Sequence, residues 1–87
     1  MPTIMAVHEV KDTAHWLGSS KRDEFFGPLG VTNIRTFVDP QNPKRVGLVA
    51  DVADMEAFGT AMESPGAAAA MEHDGVLAET LTILIQA

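Results

Sequence analysis

Arg45-Val46-Gly47-Leu48-Val49-Ala50-Asp51-Val52 is the stretch whose reading decides the fold. Successive strand side chains point to opposite faces, so Val46, Leu48 and Ala50 share one side while Gly47 and Val49 share the other. Neither side is polar. A run of this length, with turn residues before it, reads as a strand covered on both faces. Residues Val31–Val38 just upstream are rich in Val, Ile, Thr and Phe and read as another strand. Between the two lies Asp39-Pro40-Gln41-Asn42-Pro43, a cluster of turn formers, so the pair should form a hairpin.

Working outward, residues 2–10 read as a first strand, with Ile4, Val7 and Val10 among its β-formers. Asp12 or Thr13 then caps a helix carrying Trp16 and Leu17. Gly18-Ser19-Ser20 predicts a break, with a restart over Lys21–Phe26 and a stop at Gly27-Pro28. After the hairpin, Asp54 caps a second helix whose Met55, Phe58, Ala61 and Met62 fall on one face. Ser64-Pro65 predicts a fresh helix start within it. Gly75 suits a left-handed helix ending, and residues 80–85 read as the last strand. The order is βαββαβ over residues 1–87, one α+β domain of the ferredoxin-like kind. Right-handed connections then give a four-stranded antiparallel sheet in the order 4-1-3-2.

The two faces of that sheet carry the next inference. Ile4 and Ala6 oppose Met5 and Val7, while Leu81, Ile83 and Ile85 oppose Thr82 and Leu84. Two helices cover one face only. Leaving the other bare would expose a large apolar patch, and a second subunit's sheet is the simplest cover. Size agrees: an 87-residue chain without cysteine has no disulfide to stabilise it, and association is the remaining route. A homodimer is therefore expected.

Charge narrows the partners. The formal net charge is -6, and the six basic residues are scattered with no run longer than two, which disfavours nucleic acid. No apolar stretch reaches the length of a membrane span, and no basic segment followed by an apolar one suggests a signal peptide. The expectation is a cytoplasmic protein that engages neither nucleic acid nor membrane.

With these elements in place the chain resembles the dimeric α/β-barrel superfamily, and within it the small antibiotic-biosynthesis-monooxygenase-like proteins. The resemblance rests on Gly30-Val31 opening the second strand and the Asp39-Pro40 turn before Arg45-Val46. It also rests on Asp54 before the second helix, Ser64-Pro65 inside it and Met71-Glu72-His73-Asp74-Gly75-Val76 at its end. It implies two ferredoxin-like subunits packed sheet to sheet, with a ligand site between helices and sheet in each. Activities in that superfamily include cofactor-free oxygenation, polyketide cyclisation and haem degradation. The Asn, Trp and His set of the haem-degrading members has no counterpart here, so no cofactor is expected.

No nucleophile elbow, P-loop, dinucleotide fingerprint or HExxH helix is present. What the topology does gather at one edge is His8, His15, Trp16, His73 and Glu79. Histidine suits proton transfer near neutral pH, so His8 and His73 are the candidate catalytic groups. Trp16 and Arg35 are the candidate ligand-binding residues. Plain alternatives stand beside each. His8 would be a strand-end histidine bonded to backbone, and His73 a cation favoured by a helix C-terminus. Trp16 would be core, and Arg35 an edge-strand charge that discourages aggregation. A metal held by His8, His73 and Glu79 has suitable donors but no enforcing spacing, so none is expected. The implied function is binding of a small apolar or aromatic ligand, with cofactor-free oxygenase, isomerase or cyclase chemistry on an aromatic or polyketide-like substrate. The alternative is a non-catalytic dimeric module that binds a ligand or a partner protein.

Overall fold

A computed structural model describes residues 2–87. Its elements follow in the order β1 (Thr3–Val10), α1 (Thr13–Gly18), α2 (Lys21–Phe26), β2 (Val31–Val38), β3 (Arg45–Val52), α3 (Met55–Met62), α4 (Pro65–Asp74) and β4 (Val76–Ile85). The strands form one sheet in the order β2-β3-β1-β4 with every neighbouring pair antiparallel. This is the 4-1-3-2 arrangement read from its other edge. The fold is therefore α+β and ferredoxin-like, as the sequence implies.

Local signals set the boundaries. Asp12 starts α1 by accepting from the His15 amide, and Asp54 starts α3 by accepting from the Glu56 and Ala57 amides. Ser64 accepts from the Ala67 amide, with Pro65 at the first helical position, which separates α4 from α3. The break between α1 and α2 falls at Ser19 and Ser20. The helical path does not stop at Gly27-Pro28. It tightens into a 3-10 turn over Gly27–Leu29 and ends at Gly30, where φ is 72°. Proline is tolerated there because an early helical position needs no amide donor.

One face of the sheet packs on the helices. Ile4, Ala6 and Val10 of β1 and Val46, Leu48, Ala50 and Val52 of β3 are buried with Trp16, Phe26 and Phe58. Phe26 and Phe58 stack with ring centroids 6.0 Å apart, which joins α2 to α3. The other face carries Met5, Phe37 and Leu84, exposed by 44%, 53% and 53%. Cross-strand register places Met5 beside Val49 and Leu84, and Phe37 beside Gly47. The outer face is thus apolar and open along its centre, as the alternation in β3 predicts.

The last strand begins earlier than its β-formers suggest, at Val76 rather than residue 80. The reason is a large bulge. Val7 pairs with Thr82 and Glu9 with Leu77, so β4 residues 78–81 stand opposite His8 alone. The Glu9 amide donates to the Thr80 hydroxyl at 2.8 Å, and that hydroxyl donates to the Leu77 carbonyl at 2.6 Å. A side chain thereby replaces a missing ladder partner, and pairing resumes at Val76.

Gly75 closes α4 in the left-handed region at φ 73°, its amide donating to the Glu72 carbonyl at 3.2 Å. A Cβ at Gly75 would meet only ordinary contacts, whereas one at Gly30 would lie 3.1 Å from the Ala53 Cβ. Gly75→Ala should therefore cost about 1 kcal/mol through backbone strain alone. Gly30→Ala should cost more, and urea denaturation midpoints of the two variants rank them.

Candidate functional site

Ala67, Ala70, Met71 and Asp74 recur at helical spacing and form the face of α4 turned toward the sheet. Between that face and β1, β3 and β4 lies a cavity of about 70 Å³. Its wall includes His8, Trp16, Arg22, Phe25, Phe26 and Asp74. The lining is almost wholly apolar apart from these few polar side chains, the usual composition of a small-molecule site. The small residues of α4 leave the space, and the bulge of β4 withdraws backbone from the far side of His8.

His8 is 5% exposed, and its Nδ1 has no hydrogen-bond partner. Its ring meets Trp16 edge to face with centroids 5.5 Å apart. Burial lowers the His8 pKa below the ordinary 6.5, and the Arg22 charge pushes the same way. The Glu9 backbone opposes burial, with an effect smaller than that of burial and larger than that of Arg22. His8 is thus a neutral imidazole at pH 7, a proton acceptor in an apolar wall. Arg22 lies 4.8 Å from the centre of the Trp16 ring and donates from Nη1 to the Trp16 carbonyl at 3.2 Å. Its Nε is buried without a partner. Two buried nitrogens that lack partners, on one cavity, are an unusual pairing in a folded protein.

Asp74 is also buried, accepting from the Ser19 hydroxyl at 2.5 Å and from His73 Nδ1 at 3.0 Å. It fastens the end of α4 to the break between α1 and α2, which fixes Trp16 and Arg22 relative to β1.

The structure distributes the sequence-derived candidates unevenly. His8 and Trp16 share the cavity. His73 does not line it: the helical face that points inward ends on Asp74, and a residue one position earlier is turned about 100° away. His73 instead lies at the surface, its side chain 54% exposed. Arg35 is on the other face of the sheet. It pairs with Val49, lies beside Met5 and Leu84, and donates from Nε to the Asn33 carbonyl at 3.4 Å. A register shift between Thr32 and Arg35, with Asn33 at φ 55°, sets that side. The set His8, His73 and Glu79 is likewise not assembled, since only His8 of the three reaches the cavity.

Arg22 and Asp74 are the members that sequence reading passed over. Lys21-Arg22-Asp23-Glu24 looks like a solvated face, and an acid in the last turn of a helix opposes the dipole. A signal for Asp74 did exist, in its spacing from Ala67, Ala70 and Met71.

With this geometry established, comparison with solved structures is informative. A Bordetella bronchiseptica protein of the antibiotic-biosynthesis-monooxygenase type superposes with a TM-score of 0.76. It is 14% identical, over 99% of this chain and 94% of that one. The chain shares its ferredoxin-like fold with proteins of the antibiotic-biosynthesis-monooxygenase type. SnoaB, a cofactor-independent oxygenase from Streptomyces nogalater, superposes at 0.65 with 18% identity over 98% of this chain and 87% of its own. A Nitrosomonas europaea protein of the same type gives 0.66 at 13% identity, over 100% and 97% of the two chains. Identities this low establish the fold and leave the reaction open. No protein-family model and no curated protein matches the chain.

The pH dependence of stability follows from His8. Its folded pKa is lowered, so the unfolded chain binds more protons than the folded one below about pH 6.5. Stability then rises with pH through that window and falls on acidification. His8→Gln should remove this slope between about pH 6.5 and pH 5, read from urea midpoints beside wild type. The other two histidines are common to both proteins and cancel. Asp51, whose carboxyl is held low first by the Thr3 hydroxyl and then by Asn33, responds only in the more acid carboxylate range.

Proposed function

We propose that this protein binds a small, oxygen-bearing organic molecule in the cavity between helices and sheet and removes a proton from it. The observation that carries this is a buried neutral imidazole, His8, beside a half-buried cation, Arg22, whose Nε is enclosed without a partner, in one apolar wall. His8 accepts the proton from an acidic O–H or C–H. Arg22 stabilises the anion that results, at the place where charge develops. Such an anion would serve cofactor-free oxygenase, isomerase or cyclase chemistry, and SnoaB, a cofactor-independent oxygenase, has the same fold. A general base in this position contributes a factor of about 10² to 10⁴.

Cavity size bears on the substrate. About 70 Å³ is well below the ~300 Å³ at which drug-sized pockets begin. A single small ring or a short dicarbonyl suits it better than a fused polyketide, unless α4 shifts away from the sheet. A non-catalytic ligand-binding role would use the same cavity without the proton transfer.

The outer sheet face supports a homodimer. Met5, Phe37 and Leu84 line up with Val7 and Val49 on a surface that water would cover at a cost in free energy. Among the described residues, no helix is long and apolar enough to cross a membrane. A cysteine-free chain with this acidic balance suits work in the cytoplasm on a small molecule, without nucleic acid.

Two experiments test these readings. Turnover of hydroxylated single-ring aromatics and 1,3-dicarbonyls, followed by absorbance and oxygen uptake, should fall at least about 100-fold in His8→Gln. Undiminished turnover would dismiss His8 as the base. Light scattering after size exclusion should give twice the chain mass at micromolar concentration, and Phe37→Glu should shift it toward the monomer. A monomeric wild type would dismiss the dimer.

A further inference from the structure

Away from the cavity wall, α1 and the last turn of α4 bring two imidazoles and a carboxylate together. One ring nitrogen of His15, one of His73 and a carboxylate oxygen of Asp74 lie within 4.8 Å of one another. The two rings have centroids 5.6 Å apart and are tilted by 40°. His15 and His73 are exposed and Asp74 is buried.

Proximity alone would be unremarkable on a protein surface. What distinguishes this pair is the partner of each ring. His15 Nε2 contacts the His73 carbonyl at 2.8 Å. A carbonyl only accepts, so Nε2 carries the proton and Nδ1 keeps a lone pair. His73 Nδ1 contacts the Asp74 carboxylate at 3.0 Å. That carboxylate accepts, so Nδ1 carries the proton and Nε2 keeps a lone pair. Each ring thus has an acceptor on one nitrogen, and in its neutral form the other nitrogen is left to bind. Metal-ligating histidines are held in this way, by a carboxylate or a backbone carbonyl behind the ring. Asp74 is itself anchored by the Ser19 hydroxyl, so the support behind His73 is rigid.

We infer that His15 and His73 form a surface site for a late first-row divalent cation of the zinc, nickel or copper kind. The two imidazoles are the protein ligands, Asp74 positions His73, and water completes the coordination. Imidazole donors suit these cations and not magnesium or calcium, which prefer oxygen. Ligand atoms on one zinc stand about 3.3 Å apart, as bond lengths of ~2.0 Å require. The donor atoms of the cluster lie within 4.8 Å of one another and would draw together on binding. The cation would tie together residues 58 positions apart in the chain and pin α1 to α4, beside the cavity but outside it. The site is independent of the proposed chemistry at His8.

Isothermal titration of the untagged full chain with zinc chloride, run beside magnesium chloride, tests the site. One zinc ion per chain is expected, with no heat from magnesium. His15→Ala and His73→Ala should each weaken zinc binding at least tenfold, while His8→Gln leaves it unchanged. Asp74→Asn should weaken it less, provided circular dichroism shows that this buried variant folds. Zinc should also raise the melting temperature of wild type and not that of His15→Ala. Absence of saturable binding, or equal affinity in wild type and both histidine variants, would overturn the inference.

Discussion

The helix-facing side of β1 governs this molecule. It runs Ile4, Ala6, His8, Val10 along a strand flanked on both sides by neighbours, and all four are buried. Three of them are ordinary core residues. The fourth is an imidazole in a position that alternation cannot turn toward water, because a one-residue slip would expose Ile4, Ala6 and Val10 as well. Apolar burial along the strand, at about 25 cal/mol per Å² of area, therefore holds a poorly solvated histidine in place. Its low proton affinity, its edge-on contact with Trp16 and its place in the cavity wall are consequences of that register.

The surrounding structure accommodates this residue and does not neutralise it. Opposite His8, β4 swells into a bulge whose missing ladder bond is supplied by Thr80. Above it, α4 presents Ala67 and Ala70 where larger side chains would fill the space. Beside it, Trp16 supports Arg22 with an aromatic face, and among the described residues no carboxylate forms an ion pair with that cation. The buried acid nearby, Asp74, is occupied by Ser19 and His73. An empty carboxylate at the cavity would have raised the His8 proton affinity and paired with Arg22. Here both groups are left with capacity for a ligand.

Most of the fold was legible because its signals are local. The caps at Asp12, Asp54 and Ser64, the left-handed Gly75 and the alternation of Val46, Leu48 and Ala50 each act through a few adjacent atoms. Placement at the cavity was legible only where strand parity was strong, at His8, and where burial follows from size, at Trp16. It failed where long-range register decides direction. Arg35 faces away from the cavity because of a shift at Asn33 that no local pattern announces. Chemistry favours His73, whereas helical phase assigns the inward position to Asp74. Arg22 was hidden inside a charged run whose other members are exposed. The early start of β4 was hidden for a related reason: Thr80 acts as a backbone substitute, which composition does not encode.

The chain contains a single tryptophan, and it forms part of the cavity wall. Intrinsic fluorescence therefore reports on the proposed site without a label and without interference from any other indole. Titration with a small phenol or 1,3-dicarbonyl is the most direct measurement of the central claim, that this cavity receives an oxygen-bearing ligand between His8 and Arg22. The account predicts a saturable change in Trp16 emission in wild type that is lost in Arg22→Ala and weakened in His8→Gln, with circular dichroism unchanged. Binding that leaves Trp16 emission untouched, or that persists at full affinity in both variants, would contradict it.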